Sequence, residues 1–182
     1  MDVLLITGAS GVGKSTIAWE IGRRLAADGV SHAIIDTDEL DRVYPRPEPL
    51  SELVALSARN MKMLWSSFSQ LGHSRLILTG VMLDVDGALE WIREALDDPR
   101  IMVVRLHASD ASLRARIENR EIGSGKDEHL ARSLNQSNFM RELPAKGALE
   151  IATDGRRPAE IATDVLVRLR GDGPQWHSTR TC

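Results

Sequence analysis

Residues 8–15, Gly8-Ala9-Ser10-Gly11-Val12-Gly13-Lys14-Ser15, match the pattern G-x-x-x-x-G-K-[ST] at every position. Glycines in such a run permit backbone angles that turn successive N–H groups into one concavity. A helix beginning at its end adds the positive pole of its dipole, so the loop suits the phosphates of a nucleoside triphosphate. In that setting Lys14 bridges the β- and γ-phosphates and the Ser15 hydroxyl takes Mg²⁺, while Thr16 offers a hydrogen bond to an inner phosphate.

A second group of charges follows at Asp36-Thr37-Asp38, with Glu39 and Asp41 just beyond. If the chain stays extended there, Asp36 and Asp38 point to the same side and reach one site together. One carboxylate then holds the water shell of Mg²⁺ while the other orients and deprotonates an acceptor hydroxyl. Arg116 and Arg120 are one helical turn apart and share a face, ahead of a glycine-containing stretch at 121–125. Guanidinium groups are planar, permanently charged and fork-shaped, which suits both stacking on a base and holding phosphates. On the acceptor side, Pro45, Pro47 and Pro49 force an extended loop before a helix that carries Arg59 and Asn60, the polar residues expected to meet an acceptor.

These residues need elements to hold them. Val3-Leu4-Leu5-Ile6 is a short, continuous apolar run beside glycine, as in a strand buried on both faces. After the glycine loop, Ala18, Ile21, Gly22 and Leu25 share one helical face. Further strands are expected at Ala33-Ile34-Ile35, Leu76-Ile77-Leu78, Ile101-Met102-Val103-Val104 and Leu149-Glu150-Ile151. Helical spacing is expected over 51–71, 88–96, a stretch capped by Ser109 or Asp110, then 127–143 and 159–169. Strands separated by helices pair in parallel through right-handed crossovers. The expectation is a three-layer α/β/α sandwich around a five-stranded parallel sheet. One domain covers residues 1–170, with a lid near 120–132 and a loose tail at 171–182. Trp19, Trp65 and Trp91 are expected to pack helices onto the sheet.

The length of 182 residues fits a single core, and 42% hydrophobic with 27% charged residues excludes disordered and collagen-like classes. No apolar run approaches a bilayer span, so no membrane partner and a cytoplasmic location are expected. The single cysteine, Cys182, cannot form an internal disulfide. A net charge of −3 gives no general pull toward nucleic acid, and the few aromatics are too scattered for a base-stacking platform. The histidines lack the paired spacing of a metal site.

The glycine loop together with Asp36 and Asp38 resembles the small-molecule kinases of the P-loop superfamily. That group includes shikimate kinase, adenylylsulfate kinase, chloramphenicol phosphotransferase and the adenylate kinases. The order of elements follows it over residues 1–170. The resemblance implies a P-loop NTPase fold, ATP and Mg²⁺ as cofactors, and transfer of the γ-phosphoryl group to a hydroxyl of a metabolite, antibiotic or nucleoside. It assigns Asp38 as base, Asp36 as outer-sphere metal carboxylate, Arg116 to the adenine and Arg120 to the phosphates. The loop at 153–157 would edge the adenine, with a backbone contact at Asp154. The third strand ends Leu78-Thr79-Gly80 without the aspartate many P-loop ATPases carry there. The shikimate-kinase-like branch has small residues at that point, which implies a substrate contact at Gly80. A nucleotide-binding resistance or regulatory protein without efficient transfer, and a polynucleotide 5′-hydroxyl kinase, are the alternatives. A GTPase is disfavoured, since no Asn-Lys-x-Asp motif occurs. Whether the chain self-associates stays open.

Overall fold

The computed structural model describes residues 1–120, 125–143, 145–171 and 176, the side chain of Arg120 excepted. Strands β1 (Asp2–Thr7), β2 (Ala33–Asp36), β3 (Arg75–Gly80), β4 (Arg100–His107) and β5 (Leu149–Ala152) form one parallel sheet in the order β2-β3-β1-β4-β5. Helices α1 (Lys14–Ala27), α2 (Leu50–Gln70), α3 (Val85–Leu96), α4 (Asp110–Arg120), α5 (Lys126–Glu142) and α6 (Pro158–Gly171) surround it. This is the expected three-layer α/β/α sandwich.

The central strand is buried on both faces, which is why it reads as a continuous apolar run. Leu4 and Ile6 meet Ile17, Ile21 and Leu25 of α1 and Ile161 and Val165 of α6 on one face. Val3 and Leu5 meet Met61 of α2 and Ile92 of α3 on the other. Leu4, Leu5 and Ile6 are fully buried, each contributing about 2 kcal/mol of apolar burial. The loop that leaves β1 is therefore rooted in the most enclosed strand of the molecule.

Several boundaries differ from the expected ones for identifiable reasons. Helix α3 starts earlier than residue 88 because the Asp84 side chain accepts from the Gly87 N–H and caps it. Residues 37–39 are not extended: Thr37–Glu39 forms one turn of 3₁₀-helix capped by Asp36. The strand-alternation argument for Asp36 and Asp38 is thereby corrected. Trp19 is 69% exposed rather than packed on the sheet, whereas Trp65 and Trp91 do pack against the core. Trp176, in the stretch expected to be loose, is buried against the cluster that includes Leu169. No helix among the described residues is long and apolar enough to cross a membrane.

Candidate nucleotide-binding site

The loop at residues 8–13 joins β1 to α1, and its glycines are demanded by local geometry. Gly8 has φ +146°, and a Cβ there would lie 2.4 Å from the carbonyl oxygen of Leu106 at the end of β4. Gly11 and Gly13 also have left-handed φ, 78° and 107°, which strain any other residue. Gly13 is the N-cap of α1 and supplies no capping side chain, and the first turn carries no acidic residue. No capping side chain or acidic residue competes with an anion at this helix end, where unpaired N–H groups and the positive pole of the dipole favour negative charge.

Lys14 folds back over this loop, its ammonium donating to the carbonyls of Gly8 at 3.0 Å and Ala9 at 3.2 Å. Burial lowers its pKa to about 8, against the opposing pull of the Asp38 and Asp36 charges. The Ser15 hydroxyl donates to Asp36 Oδ2 at 3.1 Å, and the Asp38 N–H donates to Asp36 Oδ1 at 3.1 Å. The 3₁₀ turn, rather than strand alternation, brings the two carboxylates together. The Asp38 pKa is raised, first by burial and then by the Asp36 charge, with Lys14 acting the other way. Thr16 is exposed on the first turn of α1.

Ser15 Oγ and the Asp36 carboxylate are hard oxygen donors of the kind Mg²⁺ takes when it is held chiefly by nucleotide phosphates and water. They fit such an ion. No cluster of three or more His, Cys, Asp or Glu side chains able to hold a metal occurs among the described residues.

The two helices after β4 close over the loop. Arg116 of α4 donates to the Val12 carbonyl at 3.0 Å, to Thr153 Oγ1 at 2.9 Å and to the Thr153 carbonyl at 2.8 Å. It ties the glycine loop to the chain after β5. Next to it, the Asp154 carboxylate accepts from the Ser109 N–H and from the Ser109 and Ser112 hydroxyls at the start of α4. These bonds hold its pKa down at about 2. The Asp154 side chain is thus engaged by the two serines at the start of α4. Arg120 ends α4; its side chain and residues 121–124 of the expected lid lie outside the described residues. The remainder of the expected lid, from Lys126 onward, lies on α5.

Three residues of α5 reach the loop that motif reading does not single out. Gln136 Oε1 accepts the Ser10 N–H at 3.0 Å, and Ser133 donates to the Ser10 carbonyl at 2.7 Å. His129 Nε2 lies 2.6 Å from Ser10 Oγ. The signal that could have found them is the spacing of 129, 133 and 136 on one helical face, in a helix that buries Ser133 and Ser137 beside only two apolar residues.

The acceptor-side residues divide. Arg59 is exposed on α2. Asn60 donates its amide to the Leu40 carbonyl at 2.7 Å, fastening α2 to the end of the 3₁₀ turn. At Gly80 a Cβ would lie 2.1 Å from Thr37 Oγ1, so the close approach of the turn that carries Asp38 by itself demands a glycine there.

A family model described as "AAA domain" matches residues 4–143. No curated protein matches the chain in sequence. Among solved structures, the Deinococcus radiodurans tunicamycin resistance protein superposes with a TM-score of 0.60 at 15% identity, over 92% of this chain and 95% of that one. A gluconokinase from Sinorhizobium meliloti 1021 gives 0.61 at 18%, over 94% of each chain. The Mycobacterium tuberculosis APS kinase, solved with AMPPNP and APS, gives 0.57 at 19%, over 93% and 97%. At such identities the likeness is one of fold. With the glycine loop seated between β1 and α1 and the family model spanning most of its length, the chain belongs to the AAA domain family and has the fold of the P-loop small-molecule kinases.

Proposed function

We propose that this protein is an ATP-dependent phosphotransferase that moves the γ-phosphoryl group to a hydroxyl of a small molecule. The observation that carries this reading is the placement of Asp38 beside Asp36 and Lys14 at the mouth of the glycine loop. A kinase needs an acceptor-activating base there, whereas simple nucleotide storage does not.

Each residue has a definable task. The loop amides and the start of α1 bind the phosphates, and the Lys14 ammonium balances charge on the migrating group. Its hydrogen bonds to Gly8 and Ala9 keep it over the loop before a nucleotide enters. Asp38 accepts the proton of the acceptor hydroxyl; a carboxylate with a raised pKa is a better match to that work than an ordinary one. Asp36 orients Ser15, and the two would hold Mg²⁺, which when bound neutralises phosphate charge. Arg116 keeps the nucleotide loop in register with the chain after β5, where an adenine would lie. Arg120, at the end of α4, is assigned to the phosphates.

The test is a product screen with ATP labelled in its γ-phosphate against hydroxylated metabolites, nucleosides and antibiotics. A labelled product from one class, abolished by Asp38→Asn, supports the reading. Tight magnesium-nucleotide binding with no labelled product across the panel overturns transfer in favour of a binding or regulatory role.

A further inference from the structure

Thr79 stands at the end of β3, where the proposed reaction leaves it without a task. It is 1% exposed, and its hydroxyl finds no hydrogen-bond partner among the described residues. Buried hydroxyls are normally paired, because burying one unpaired sacrifices its hydrogen bonds to water. A position that keeps such a group points to a partner that arrives with a ligand.

The sheet register says where the hydroxyl lies. Thr79 pairs with Ile6 on β1 and with Asp36 on β2. Register partners in parallel strands project from the same face, and Ile6 belongs to the cluster under α1. Thr79 is therefore on the α1 face, next to the carboxylate that accepts from Ser15. Neighbouring strands are roughly 4.8 Å apart, a separation that one water molecule bridges. Asp36, the register partner of Thr79, also accepts from Ser15 on the first turn of α1, so the three residues fall at the same end of the sheet on its α1 side.

We propose that Thr79 is a third residue of the magnesium site, its Oγ1 accepting a hydrogen bond from a water in the hydration shell of the nucleotide-bound ion. Magnesium keeps several of its waters when bound to protein and phosphate, so oxygen acceptors around those waters tune its affinity without touching the ion. The inference rests on the nucleotide-binding part of the reading above, and not on transfer.

Two variants test it, Thr79→Val, which keeps the shape and removes the hydroxyl, and Thr79→Ser, which keeps the hydroxyl. The affinity for AMPPNP is measured by calorimetry with magnesium and with EDTA, alongside thermal melting of the free protein. Thr79→Val is expected to melt at or above the wild-type temperature when free, since an unpaired hydroxyl has been removed. In EDTA its AMPPNP affinity should stay within about twofold of wild type, while the tightening produced by magnesium falls about tenfold. Thr79→Ser should restore most of that tightening. An unchanged magnesium increment in Thr79→Val overturns the proposal, as does an equal loss with and without magnesium, which would place the hydroxyl on the nucleotide or the fold instead. A wild-type protein that binds no AMPPNP in either condition removes the nucleotide reading itself, and this proposal with it.

Discussion

Gln136, 126 positions after Ser10, takes the Ser10 backbone N–H on its side-chain oxygen at 3.0 Å. With Ser133 on the carbonyl and His129 at the hydroxyl, all three polar groups of Ser10 are met by α5. A glycine-rich loop has many accessible shapes, and each such bond narrows them before a ligand arrives. Gln136→Leu combined with Ser133→Ala should weaken magnesium-ATP binding about tenfold, as two bonds of roughly 0.5–1.5 kcal/mol each are lost. Calorimetry reads the affinity, and an unchanged value would reduce α5 to packing.

Asp38→Asn keeps the size and hydrogen-bonding capacity of the side chain but removes its basicity. Transfer to any acceptor identified by the product screen should fall by about 10²–10⁴, the range for a lost general base. Nucleotide affinity should change little, because Ser15 and the loop amides are untouched. Single-turnover kinetics alongside nucleotide titration separates the two effects.

Gly80→Ala would place a methyl group 2.1 Å from Thr37 Oγ1 and push the turn that carries Asp38. Overpacking of this kind destabilises by about 1–3 kcal/mol. Transfer should drop with nucleotide binding largely kept, and adding Thr37→Ala should recover part of both stability and turnover. Thermal melting and transfer assays on the single and double variants check the pairing.

The Asp154 carboxylate, held at a pKa of about 2 by the Ser109 and Ser112 hydrogen bonds, gives a signed prediction in acid. Its folded pKa lies below the ordinary value of 3.8, so the stability it lends is full above that value and is lost as pH falls through about 2. The group is exposed, so the contribution belongs at the low end for helix capping, roughly 0.5–1 kcal/mol. Asp154→Asn should melt slightly lower at neutral pH, and the gap to wild type should close between pH 4 and pH 2. Denaturant unfolding across that range measures it.

What the sequence made legible was whatever is encoded locally. The phosphate loop is readable because its glycine and lysine spacing is a backbone requirement over eight adjacent residues, and β1 is readable because both its faces are buried. Asp36 and Asp38 were visible as a pair, but the expected reason was alternation, and the turn that joins them depends on Asp36 accepting the Asp38 N–H. The polar face of 129, 133 and 136 on α5 was there to be read, but not that it meets Ser10, because the contacts link residues 119 to 126 positions apart and packing sets that distance. Gly80 was readable as a place for close approach, yet which group approaches it is decided by how the Thr37 turn folds onto β3. Trp19 illustrates the same limit: its helix was evident, but its outward direction was not.

One carboxylate, that of Asp36, grips Ser15 with one oxygen and the Asp38 amide with the other. The first turn of α1 and the turn that carries Asp38 are thereby hinged on a single side chain. On the proposed reading, a shift of Ser15 toward an arriving nucleotide would tug on the same group that holds the Asp38 backbone, so loading the donor and setting the base would be mechanically linked.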